Sequence, residues 1–208
     1  MTPAELWWRR VPRVLIRPRE VFEALRDEAG EDDLAARQEP VLLLVGLAGI
    51  GGVVMSPTWG TVMNSYEVDW LVFGVVTFIA GAMYGGAAYL LVGGALHLGA
   101  KGMGSELGWR TGRHVVAFSA APLALSLVVT LPLQLVAFGE AAFESGGGDS
   151  GALATLVVAL ELCFVAWATA LLALGVKTVY RFGWAQAAGA LGLLGILLAA
   201  FIVLPSAL

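Results

Sequence analysis

At 208 residues, with 59% hydrophobic and 13% charged residues and a mean hydropathy of +0.83, the chain has far more apolar side chain than one soluble core can hide. Residues 71–96 hold no charged side chain, which excludes a water-soluble bundle with polar outer faces and makes lipid the solvent for most of the chain. The formal charge of −4 is uneven, with five arginines and one acid in residues 1–19 but two arginines and eight acids in residues 20–39.

The expected fold class is all-α, a polytopic transmembrane helical bundle of about five spans. Residues 1–39 read as a cytoplasmic, interfacial amphipathic segment and residues 40–208 as the transmembrane domain. In the first segment Trp7, Val11, Val14 and Leu15 recur at helical spacing beside Arg9, Arg10 and Arg13. This pattern suits a helix lying in the headgroup layer, with indoles at the interface and guanidinium groups on anionic phosphates. Pro12 and Pro18 are expected to divide it. A second short helix starts at Pro18, puts Val21, Phe22 and Leu25 on one face, pairs Arg19 with Glu23 and ends near Gly30.

The spans are expected at about 40–59, 69–98, 114–138, 151–176 and 184–204. The first is rich in glycine, so a broken or re-entrant helix is its alternative, and Pro122 and Pro132 predict a kink in the third. The intervening segments sort by charge. Residues 99–113 hold Lys101, Arg110 and Arg113, and residues 177–183 hold Lys177 and Arg181. Residues 60–68 and 139–150 hold Glu67, Glu140, Glu144 and Asp149 and no Lys or Arg. Under the positive-inside rule this alternation places the N-terminus in the cytoplasm and the C-terminus outside. The arginine-rich start runs into polar sequence, unlike a secretory signal peptide.

Within the spans, Glu161 is an acid in an otherwise apolar helix, and Gln134 and Thr130 are polar groups on the neighbouring span at suitable depth, with Thr77 also in range. The two readings are a polar tie between helices and part of an ion or proton path. Gly81 and Gly85 predict a close helix crossing that Gly86, Gly93 and Gly94 extend, with Gly189, Gly192 and Gly195 acting similarly in the last span. Cys163, the one cysteine, has no partner for a disulfide and reads as packing. His97 and His114 flank the basic loop, but two histidines with Glu106 nearby do not make a zinc site. Ser119 and Ser126 have no histidine–acid pair beside them, and no phosphate-binding glycine loop or zinc-protease motif is present. The expectation is no catalytic residue, no metal and no cofactor.

The stretch LIRPREVFEAL, from Leu15 to Leu25 with its Pro18 and Phe22, followed by five apolar blocks, resembles the Yip-type membrane domain, named for proteins that interact with Ypt and Rab GTPases. The join ALHLGAKGMGSELGWRTGRHVVAFSAAPLALS carries the same likeness: a span ending at His97, a glycine-rich basic loop, and a new span entered through Arg113 and reaching Pro122. The resemblance implies a cytoplasmic N-terminus, five spans and a non-enzymatic role in trafficking, membrane shaping or adaptor work. Eukaryotic members carry an Asp-Leu-x-Gly-Pro type motif before the first span; here EDDLAARQEP has Asp33 and Leu34 without the Gly-Pro, a departure that tells against GTPase binding.

The expected function is thus membrane organisation or adaptor work. Trp7, Trp8, Arg9, Arg10, Arg13, Lys101, Arg110 and Arg113 would meet anionic headgroups or a protein partner. No nucleic acid is expected, and a homo-oligomer is allowed. The alternative is a transporter or channel moving an ion, small solute or lipid through the bundle. Ten arginines to two lysines, with abundant alanine and glycine, point to a GC-rich bacterial genome and the inner membrane.

Overall fold

Inside a bilayer every backbone N–H and C=O must be satisfied by the chain itself, which only helices and closed barrels achieve. The computed structural model describes residues 3–28, 39–54, 70–139 and 151–203, and no strand occurs among them. The helices are α1 (Pro3–Ile16), α2 (Pro18–Glu28), α3 (Glu39–Val54), α4 (Trp70–Gly102), α5 (Trp109–Ser119), α6 (Ala121–Phe138), α7 (Ala152–Val179) and α8 (Trp184–Val203). Among the described residues three stretches are long and apolar enough to cross a membrane: Leu71–Gly102, Trp109–Phe138 and Ala152–Val179. Val41–Val54 and Trp184–Leu197 are apolar but shorter. The rest of the expected first span, to Trp59, lies outside the described residues.

The second of these stretches is the centre of the bundle. In its most apolar window 56% of residues are buried, against 22% in α4 and 17% in α7, whose outer faces present Phe78, Met83 and Leu162. Apolar side chains left exposed on a chain this hydrophobic face lipid. Cys163 is among the exposed positions, so it does not pack in the core as its apolar setting suggested.

The central stretch is broken at Ala120, where the α5 backbone ends and Pro122 sits in the first turn of α6. Proline has no N–H to donate and its ring crowds the preceding turn, so the chain re-forms a helix with proline at a position that needs no donor. Pro132 lies inside α6 without ending it. Ser119, Ser126 and Thr130 each donate to a carbonyl one turn back, Val115, Leu123 and Ser126 respectively, at 2.7, 2.7 and 2.8 Å. These bonds satisfy the hydroxyls without a partner helix.

α3 crosses α4 at backbone contact. A Cβ on Gly49 would stand 2.6 Å from the Gly85 nitrogen, and one on Gly85 would stand 3.2 Å from the Gly49 Cα, so only glycine fits here. The expected ridge does not continue. Gly93 and Gly94 instead receive the side chains of Arg113 and Trp109 from α5, and Gly86 has nothing within 4 Å. On α8, Gly192 and Gly195 also meet nothing within 4 Å, and α4 approaches through Gly99 onto Ala190 instead. Alanine at the contact suffices where the partner supplies the glycine.

The N-terminal helices join the same core. α1 continues through Pro12 and the chain breaks only at Arg17, before Pro18 opens α2. Val21, Phe22 and Leu25 are buried, as their shared face predicts, in one cluster with Val14, Phe118 and Val176. Arg19 pairs with Glu23 at 2.9 Å. α2 lies against α5 and α7, and α1 against α2, α3, α5 and α6.

Candidate functional site

The basic segments, far apart in sequence, gather at one end of the bundle. α2 runs beside the C-terminal end of α7, so that Arg19, Glu23 and Arg26 face Lys177, Thr178 and Arg181 across a cavity of about 290 Å³ floored by Leu174 and Phe182. The start of α5 adjoins this region, since a Cβ on Gly112 would stand 3.2 Å from the Tyr180 hydroxyl. Tyr180, just past the end of α7, is buried, and burial pushes its phenol well above the ordinary range.

The residues expected to meet headgroups divide by orientation. On α1, Trp8, Arg9 and Arg13 are exposed together with Ile16, and Arg10 is half-buried; the Trp7 side chain lies outside those described. Trp8, Pro12 and Ile16 follow one another at four-residue spacing, forming an exposed apolar edge beside Arg9 and Arg13. Lys101 and Arg110 are also exposed. They are not in one loop, however: α4 runs through Gly102 and α5 starts at Trp109, so Lys101, Arg110 and Arg113 all sit on helices around a short turn.

Arg113 points inward. Its guanidinium carbon lies 5.3 Å from the centre of the Tyr89 ring and 6.0 Å from that of Trp109, and its Nε is buried with no hydrogen-bond partner among the described residues. Aromatic faces stabilise it in place of a carboxylate. His97 packs on Trp109 with ring centres 6.2 Å apart, whereas His114 is buried with Nδ1 2.8 Å from the Arg110 carbonyl oxygen. The two histidines thus belong to different surroundings.

Deeper in the bundle, Gln134 Nε2 donates to Glu161 Oε1 at 2.7 Å, joining α6 to α7. Thr130 is turned to its own helix, bonding the Ser126 carbonyl, and Thr77 is buried with no partner for its hydroxyl among the described residues. Of the polar groups expected at this depth, only Gln134 and Glu161 meet. An amide donating to a carboxyl ties two helices together.

Sequence reasoning missed the grouping of Arg19, Arg26, Lys177 and Arg181. The local signal exists, since Arg19, Glu23 and Arg26 share a face of α2 and Lys177 and Arg181 lie one turn apart. Nothing local says that these two segments meet.

No curated protein and no solved structure matches the chain. The family model of the Yip1 domain matches residues 13–205, a stretch that opens one turn before α2 and runs through every apolar helix described above. An all-helical, multi-pass membrane architecture and this match agree: the chain belongs to the Yip1 domain family, whose members are membrane proteins of generally non-catalytic character.

Proposed function

We propose that this protein is a non-catalytic organiser or adaptor of the bacterial inner membrane, with its basic end in the cytoplasm, five spans and an outside C-terminus. In this reading α1 lies in the headgroup layer and engages anionic lipids, presenting the bundle to a cytoplasmic partner. The observation that carries it is the outer surface of α1, where Trp8 and Ile16 are exposed beside Arg9 and Arg13 on a helix anchored to the core through Val14. Exposed indole and aliphatic groups next to guanidinium groups are the composition of a surface seated at a lipid–water boundary. The grouping of basic segments at one end supports the cytoplasmic placement, because Lys and Arg collect on that side.

The test reconstitutes the full chain in nanodiscs of phosphatidylcholine with and without phosphatidylglycerol, and follows amide exchange in residues 8–16. Anionic lipid is expected to slow exchange there, and Arg9→Glu with Arg13→Glu to abolish the difference. Equal exchange in both lipids would refute the reading.

A further inference from the structure

We infer that the cavity between α2 and the α7–α8 turn is a binding site for the phosphate group of an anionic lipid, distinct from the outer surface of α1. The cavity holds about 290 Å³ and is lined by four cationic side chains, Arg19, Arg26, Lys177 and Arg181, and one acid, Glu23. Two of the cations are partly answered: Arg19 by Glu23 at 2.9 Å and Arg26 by Asp27 at 2.8 Å. Lys177 and Arg181 form no ion pair among the described residues; the Lys177 ammonium rests 4.3 Å from the centre of the Trp184 ring.

Ordinary helix-end electrostatics explains part of this charge. Lys177 lies in the last turn of α7, where a cation offsets the helix dipole. It does not account for Arg181, which lies beyond that helix, or for two arginines brought in by another helix. Arg181 is also the only non-glycine residue at positive φ among those described, at 56°. This is the left-handed residue that closes the C-terminus of α7, with the Phe182 N–H donating to the Lys177 carbonyl at 3.0 Å, and it turns the chain so that Arg181 lines the cavity. Four cationic side chains around one cavity, answered by two carboxylates, leave a net positive charge whose mutual repulsion raises the free energy of the empty site. A phosphate relieves it, because guanidinium groups present paired N–H donors to phosphate oxygens and lysine adds a compact charge. Leu174 and Phe182 give the cavity an apolar floor beside this polar rim, which suits a headgroup whose glycerol and acyl chains continue along the bundle. Basic pockets between helices at the membrane surface bind phosphate headgroups by the same logic.

The inference rests on the proposed function only for placing this end of the bundle at headgroup level. The full chain, purified in detergent, is offered phosphatidylglycerol or phosphatidylcholine, and retained lipid is counted by native mass spectrometry. Wild type is expected to retain phosphatidylglycerol preferentially. At about fivefold for each cation removed, Lys177→Gln with Arg181→Gln is expected to weaken retention roughly 25-fold. Arg26→Gln alone, on the other wall, is expected to weaken it about fivefold. Arg9→Glu with Arg13→Glu is expected to change α1 exchange, and the further loss of retention on adding Lys177→Gln with Arg181→Gln is expected to persist in that background, so the two proposals fail separately.

Displacement of the lipid by millimolar glycerol 3-phosphate or inorganic phosphate would identify a soluble phosphate as the ligand. Resistance to both identifies the lipid headgroup. Equal retention of the two lipids by wild type overturns the inference even if the double variant does not fold, and so does full retention by a folded double variant.

Discussion

Phe22→Ala tests whether α2 is held to the bundle by side-chain packing. Phe22 is fully buried, and its Cε1 and Cζ lie 2.9 Å from where a Gly175 side chain would begin, so the ring fills space that α7 leaves open by having glycine there. Truncating a buried phenylalanine to alanine costs about 3–5 kcal/mol, the lost transfer free energy plus the cavity. α2 has 11 residues, too few to hold a helix in water without packing. The loss therefore appears as release and fraying of α2 rather than as global unfolding. At the lower end, about 3 kcal/mol raises the open population about a hundredfold. Amide exchange of residues 22–28 in the reconstituted protein is expected to accelerate by that factor, with α4 unchanged. Loss of less than about threefold in protection across α2, or equal loss in α4, would refute the argument that this helix is a separately releasable element held by Phe22. The same variant is expected to weaken phosphatidylglycerol retention, because Arg19 and Arg26 ride on α2.

Three further outcomes are expected. Gly85→Val drives a side chain into the α3 backbone and is expected to abolish folded yield, whereas Gly86→Val, with nothing within 4 Å, is expected to be tolerated; size-exclusion profiles of the pair decide this. Gln134→Leu leaves Glu161 without its amide donor and is expected to lower stability in a detergent unfolding titration by about 0.6–1.7 kcal/mol, with Glu161→Gln losing less because an amide still accepts the bond. Burial raises the Tyr180 phenol above its ordinary value of 10.0, so the folded state favours the neutral form. Its contribution to stability is present below that pH and lost as pH rises through it. Tyr180→Phe is expected to remove this alkaline loss in thermal melts and to hold or slightly raise neutral-pH stability, because the buried hydroxyl has no partner among the described residues to lose.

Much of the architecture was legible in the chain because its causes are local. Apolar runs without charges specify helices in lipid, Pro18 opens a helix that its Arg19–Glu23 pair reinforces, and the period of Val21, Phe22 and Leu25 names the face that is buried. The stretch Leu15–Leu25 and the glycine-rich join likewise carried the family resemblance, which the match over residues 13–205 establishes. Glycine spacing was informative only in part. Gly81 and Gly85 mark a crossing, while Gly192 and Gly195 have the same look and meet nothing. A missing side chain permits close approach, but a second helix must arrive to use it.

What the tertiary structure decided are the meetings between segments. Arg113 looks in sequence like Lys101 and Arg110, yet it turns inward onto Tyr89 and Trp109 because α5 begins early enough to lay it against Gly93. Glu161 could have faced any of three polar groups at similar depth, and helix rotation set it against Gln134. The cavity of Arg19, Arg26, Lys177 and Arg181 joins residues more than 150 positions apart, through the docking of α2 on α7 by Phe22 and Gly175. Composition and period determine which segments are helical and which face of each is buried, because those depend on neighbours along the chain. Which charges share a site depends on how the helices are rotated and stacked, and that follows from packing among surfaces that one-dimensional periodicity does not pair.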